Sequence, residues 1–207
     1  NYGFEGIYNN LQGVVIVPFE TESEITVARL NELGIDIFFV GSGSDMGTNQ
    51  KASTNLNNVL KSWVASDPDK KKFIFGVQNS VTDYGYTLKQ SESTTLKSHG
   101  TLGTHVYENG YWPITQYGTT VYNFETVNNN IDILMTDSQH KPVIIFDRNY
   151  NAIFMSNAAS YLDTFRTENV PGSWQDASEY GRSAPFEVSS SIDSKVIGNS
   201  WAYLFNK

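Results

Sequence analysis

Thr54-Asn-Leu-Asn-Asn-Val-Leu-Lys-Ser-Trp-Val64, then a charged connection, then Phe73-Ile-Phe-Gly-Val77: this stretch decides the fold. Leu56, Val59, Leu60, Trp63 and Val64 follow one another at spacings of 3, 1, 3 and 1. That spacing sets all five on one stripe of a helix, for which Ser53 or Thr54 supplies the N-cap. Phe73 to Val77 is apolar without alternation, as in a strand buried on both faces. The same pair of signals recurs upstream. Val14 to Phe19 and Ile35 to Val40 read as buried strands, and between them Ile25, Ala28, Leu30 and Leu33 sit at helical offsets, with Ser23 as N-cap and Gly34 as the stop. The order is strand, helix, strand, helix, strand, and right-handed crossovers make such strands parallel.

Downstream, Asn79 to Asn130 turns to Gly, Thr, Ser and Tyr with short runs. Asn109-Gly110, between Val106-Tyr107-Glu108 and Tyr111-Trp112, reads as a hairpin, and Tyr117 to Glu125 as a further extended segment. Strands resume at Ile131 to Met135, Val143 to Phe146 and Ala152 to Met155, two of them paired as a hairpin through Asp147 to Asn151. Ser156 caps a helix with Ala158, Tyr161, Leu162 and Phe165 on one face. From Pro171 to Pro185 the Gly, Ser and Pro content rises; apolar density returns between Val188 and Trp201 and in Ala202-Tyr-Leu-Phe205. The expected architecture is α/β, a three-layer sandwich with a mostly parallel sheet and a β-rich insertion at about 79–130. Residues 1–170 form the α/β domain, and 171–207 an irregular C-terminal extension packed on it.

Composition narrows the function classes. The 207 residues are 39% hydrophobic and 14% aromatic, enough for a sizeable core. Only 14 Lys and Arg face 22 Asp and Glu, a net charge of -8, which excludes sequence-independent nucleic-acid binding. With no cysteine there is no disulfide, thiolate nucleophile or Cys-type zinc site. No stretch approaches the roughly 18 apolar residues of a membrane span. The sequence opens at Asn1 with no basic n-region, so a signal peptide is either absent or removed. None of the twenty asparagines starts an Asn-x-Ser/Thr sequon, and the surface is rich in Tyr, Asn, Ser and Thr. This composition suits a bacterial exported protein, extracellular or at the cell surface.

In an open parallel sheet, ligands bind at the carboxyl ends of the strands. The predicted strands end on Glu20, Thr21 and Glu22; on Gly41-Ser42-Gly43-Ser44-Asp45; on Gln78-Asn79-Ser80; and on Asp137 and Asp147. Glu20, Asp45, Asp137 and Asp147 compose a carboxylate rim that would suit Ca²⁺ or Mg²⁺ if it converged; otherwise these residues cap helices and turns, and no cofactor is needed. Gly41 to Ser44 matches neither phosphate-loop pattern, and Gly41 stands where an Asp-x-Ser-x-Ser metal site needs its leading Asp. His99, His105 and His140 lack metal-ligand spacing. Ser42 or Ser80 with His140 and Asp137 could make a Ser-His-Asp set, but no Gly-x-Ser-x-Gly elbow accompanies them. Tyr107, Tyr111 and Trp112 lie in an aromatic-rich segment suited either to stacking on a sugar or to packing a hairpin on the sheet.

Leu56 to Val64, Phe73-Ile-Phe-Gly-Val-Gln78 and Ala152-Ile-Phe-Met-Ser-Asn157 together resemble the class I glutamine amidotransferase-like superfamily, including its ThuA-like branch. The resemblance spans about residues 10–165. It implies an elbow bearing a catalytic Cys after the Gly-rich strand and a His-x-Glu pair after a late strand. Gln78 occupies the elbow here, and Ser156, Asn157 and Ala158 follow the late strand, so the resemblance implies a non-catalytic module with a retained crevice. The ligand residues expected are Ser42, Ser44, Asp45, Gln78, Asn79, Tyr107, Tyr111 and Trp112. The reading is a binding or assembly module for carbohydrate or a neighbouring protein domain. The alternative is a hydrolase using the carboxylate rim, with or without a divalent cation.

Overall fold

Thr26 rather than Ser23 opens the first helix: its Oγ1 accepts a hydrogen bond from the Arg29 backbone N–H at 3.1 Å. The helix, α1 (Val27–Glu32), buries Leu30 and ends before Gly34, whose φ of +63° is the left-handed stop expected there. The computed structural model describes residues 17, 19, 21–40, 52–76, 78–91, 95–108, 117–118, 122–156 and 192–207; the side chains at 78–80, 95, 117–118, 192–195 and 197 are not among what it describes. The expected strand Val14 to Phe19, apart from Val17 and Phe19, and the expected helix after Ser156 fall outside these residues.

β1 (Ile37–Val40) leads to α2 (Thr54–Ser66), whose Ser53 cap accepts from the Leu56 N–H at 3.0 Å. Leu56, Leu60, Trp63 and Val64 are buried, as the stripe requires. β2 (Lys72–Phe75) follows, running parallel to β1. After a 3₁₀ segment (Gln78–Tyr84) come β3 (Leu88–Gln90), β4 (Thr95–Ser98) and α3 (Gly100–Tyr107). Then come β5 (Tyr117–Gly118), β6 (Tyr122–Phe124), β7 (Ile131–Asp137), β8 (Pro142–Asp147), β9 (Ala152–Met155) and α4 (Ile192–Phe205).

The main sheet has seven strands in the order β1-β2-β9-β8-β7-β4-β5, and β3 and β6 form a separate antiparallel ribbon. Strands β1, β2, β9, β7 and β5 point one way and β8 and β4 the other, so five of the seven share a direction. Adjacent strands are parallel only within β1-β2-β9. The expected β-rich stretch thus adds two strands to the main sheet. Val106 and Tyr107, expected in a hairpin strand, close α3 instead, and Asn109 to Trp112 lie outside the described residues.

Alternation along the strands divides two cores. Phe73, Phe75, Phe154 and Ile145 meet α1, α2, Tyr84, Tyr86 and Phe124 on one face. Ile74, Ile153, Phe146 and Leu134 meet Val106, Tyr107, Val196, Trp201 and Leu204 on the other. The result is a three-layer α/β sandwich. The C-terminal stretch, expected as an irregular extension, ends in the 14 residues of α4. That helix is tied to α3 by Asn199 Nδ2 donating to the Val106 carbonyl at 2.9 Å and by a Ser200–Tyr107 hydroxyl bond of 2.8 Å. Two polar residues inside the buried stripe hid this helix from a hydrophobic-period reading.

Candidate functional site

Strand direction decides which strand ends can share a site. β1, β2, β9 and β7 deliver their carboxyl ends to one edge of the sheet, while antiparallel β8 delivers its own to the opposite edge. Asp147 pairs with Ile131 at the start of β7, six residues before Asp137. At about 3.3 Å per residue the two carboxylates are roughly 20 Å apart. They cannot ligate one cation, and the four-carboxylate rim is corrected accordingly. Glu20 and Asp45, the other two members, lie outside the described residues, as do Ser42 and Ser44.

Each of the two carboxylates is filled by its own turn. Asp137 Oδ1 accepts the backbone N–H groups of Gln139 and Lys141, each at 2.9 Å. Its Oδ2 accepts from the Ser91 hydroxyl at 2.6 Å and from Asn123 Nδ2 at 3.3 Å. Burial would raise this carboxyl, but the hydrogen bonds from Ser91, Lys141, Gln139 and Asn123 outweigh it and hold Asp137 below the usual carboxylate range. His140, in the same turn, takes a left-handed φ of 61° and is exposed. The oxygens of Asp137 face backbone, Ser91 and Asn123, so the turn does not assemble the Asp-His part of a Ser-His-Asp set. Asp147 accepts from the Asn149 N–H at 2.8 Å, from Asn128 Nδ2 at 3.2 Å and from the Tyr86 hydroxyl. Burial and the bond to Asp147 push the Tyr86 phenol well above its ordinary range. These are structural carboxylates serving turns and a buried tyrosine. Among the described residues, no three His, Asp or Glu side chains come together as a metal site.

The edge where the parallel strands end is described in part. The Gly76 N–H donates to the Val40 carbonyl at 2.8 Å, extending the β1–β2 ladder by one step. The chain then enters the 3₁₀ segment at Gln78 and Asn79. Ser156, at the end of β9, is fully buried, and its Oγ has no hydrogen-bond partner among the described residues. Pattern reading had no signal for Ser156 beyond its role as a helix cap.

Tyr107 is moved out of the site. Its ring is 0% exposed, its hydroxyl is bound to Ser200, and burial pushes its pKa far up. A ring with no open face cannot stack on a sugar, so this member of the expected aromatic surface is core. Tyr111 and Trp112 lie outside the described residues.

No family model matches the chain, and no curated protein matches it in sequence. Among solved structures, the chain is similar to a Thermoplasma acidophilum protein provisionally assigned as one component of a GMP synthase. That match has 11% identity and a TM-score of 0.46 and covers 97% of this chain and 89% of that one. It is also similar to the exo-beta-1,4-mannosidase Op5Man5 of Opitutaceae bacterium strain TAV5, at 16% identity and a TM-score of 0.43, over 89% of this chain and 29% of the mannosidase. Neither likeness is strong enough to bear on ancestry or activity, and the α/β fold rests on the strand order itself.

Proposed function

We propose that this chain is a non-catalytic binding or assembly module of an exported bacterial protein, with carbohydrate as the ligand and a neighbouring protein domain as the other partner class. One observation carries the reading: both described carboxylates of the rim are consumed by internal hydrogen bonds at opposite edges of the sheet. A carboxylate hydrolase needs two such groups free and converging on one bond, and a general acid needs a raised pKa rather than the lowered one of Asp137. Gln78, at the elbow position, carries an amide, which neither attacks a carbonyl nor ionises near neutral pH. Amide and hydroxyl groups with aromatic rings suit a neutral polyol. The test is a glycan array followed by calorimetry on hits, beside assays of ester, amide and glycoside turnover. The expected result is millimolar to micromolar oligosaccharide binding, lost in Trp112→Ala, with no turnover. Hydrolysis that disappears on replacing Asp45 would overturn the proposal in favour of a hydrolase. A blank array would shift the ligand to a protein domain.

A further inference from the structure

The β3–β6 ribbon is a sheet of its own, with no ladder to the main sheet among the described residues. Its two ends are fastened to that sheet in different ways. At one end the buried rings of Tyr86 and Phe124 stand 5.4 Å apart between centroids, and Tyr86 is equally far from Phe154 of β9. Asp147 reinforces this apolar end, its Oδ2 accepting from the Tyr86 hydroxyl and from Asn128 Nδ2. Towards the other end Lys89 and Gln90 are exposed, and the hold there is polar. Ser91 and Asn123, each 7% exposed, both donate to Oδ2 of Asp137.

Asp137 has no place for a proton in this arrangement. Its Oδ1 accepts the N–H groups of Gln139 and Lys141 and its Oδ2 the two ribbon donors, which together fill the roughly four acceptor positions of a carboxylate. A proton must displace one of these donors. The turn N–H groups are fixed at 2.9 Å by the reversing backbone, whereas Asn123 donates at 3.3 Å and the Ser91 hydroxyl can rotate to accept instead. The ribbon side therefore yields first. The charged residues on the surrounding elements are His140 and Lys141 in the same turn, Lys97 on β4 and Lys89 on β3; all four are exposed, and none is ion-paired to Asp137. Glu92, beside Ser91, lies outside the described residues. We propose that the β3–β6 ribbon is an acid-released strap, hinged at Tyr86 and Phe124 and clasped at its other end by Asp137. The hydrogen bonds that hold this carboxyl below the usual range keep the clasp closed at neutral pH, and its stabilisation is lost as pH falls through that lowered value. Release loosens the ribbon at the edge where β1, β2, β9 and β7 all end, while the β7–β8–β9 meander stays paired.

The test is hydrogen exchange of the full chain, followed by mass spectrometry from neutral pH down to about pH 3, with each rate divided by the intrinsic rate at that pH. Peptides covering residues 86–91 and 122–126 should lose protection about tenfold or more in acid, while those of β8 and β9 keep theirs. In Asp137→Asn the ribbon should already exchange at the raised level at neutral pH and no longer respond to acid. Should that variant fail to fold, Ser91→Ala reports instead: it removes the strongest bond favouring the charged form, so release should move to higher pH. Ribbon and meander losing protection together at every pH, ribbon protection indifferent to acid, or the parent's acid profile persisting in these variants would each overturn the proposal.

Discussion

The two wings of the sheet use their strand ends differently. In the parallel wing, β1, β2 and β9 are short runs, and among the described residues none of them is followed at once by an antiparallel partner. In the antiparallel wing, β7 and β8 turn back at once. Asp137 and Asp147 are spent on the turns that reverse the chain, each accepting N–H groups just beyond its strand. A carboxylate after a strand is therefore a site candidate only when the next strand lies far along the chain. After a tight turn it is a turn former.

The largest expected effect lies in the parallel wing. Trp63 is 0% exposed beneath α2, and Trp63→Ala should cost about 3–5 kcal/mol through lost transfer and an unfilled cavity. A denaturant midpoint nearly unchanged would show that α2 does not anchor this wing. Next comes the seam between α3 and β7, in the antiparallel wing. The β7–β8 register slips between Ile133 and Met135, and the intervening Leu134 carbonyl accepts the His99 N–H at 2.9 Å. A Cβ on Gly103 would stand 2.2 Å from that oxygen, which is backbone and cannot move aside cheaply. Gly103→Ala should therefore destabilise by about 1–3 kcal/mol as overpacking, even though alanine is the better helix former. A gain in thermal stability would refute the close approach.

The smallest effect is the most specific to the comparison. The folded-state pKa of Asp137 is lowered, so its contribution to stability is complete above the ordinary carboxylate range and is lost as pH falls below it. Asp137→Asn should cost about 1–2 kcal/mol at neutral pH and flatten the acid limb of the stability curve. Denaturation at several pH values checks both. An unchanged acid limb would mean that the turn does not depend on the charge.

Much of this architecture was legible where one physical rule dominates. The stripe of Leu56, Leu60, Trp63 and Val64 and the runs at Phe73, Val143 and Ala152 appear where periodicity placed them. The reading failed where tertiary contacts override local preference. Gly100 to Tyr107 holds two glycines and two threonines, a poor helix by propensity, yet it is helical because Gly103 lets it lie against β7 and Val106 and Tyr107 fill the core. The site suffered from a different omission. Equating every strand end with one rim presupposed a common edge, although the hairpin read through Asp147 to Asn151 already reverses the strand that ends on Asp147; the observed pairing then assigns Asp137 and Asp147 to opposite edges.

The position of β9 between β2 and β8 also has a bearing on how the chain assembles. Strands β7, β8 and β9 form a local meander over residues 131–155, closed by short turns. Phe73 must wait for Ala152, its partner in the β2–β9 pair and a distant position in sequence, before the parallel wing has a neighbour. Closing that loop costs entropy that local hairpins largely avoid. The meander is thus the natural early scaffold, and its free β9 edge becomes the template onto which β2 and then β1 dock. The edge at which β1, β2 and β9 all end is completed only at that late step.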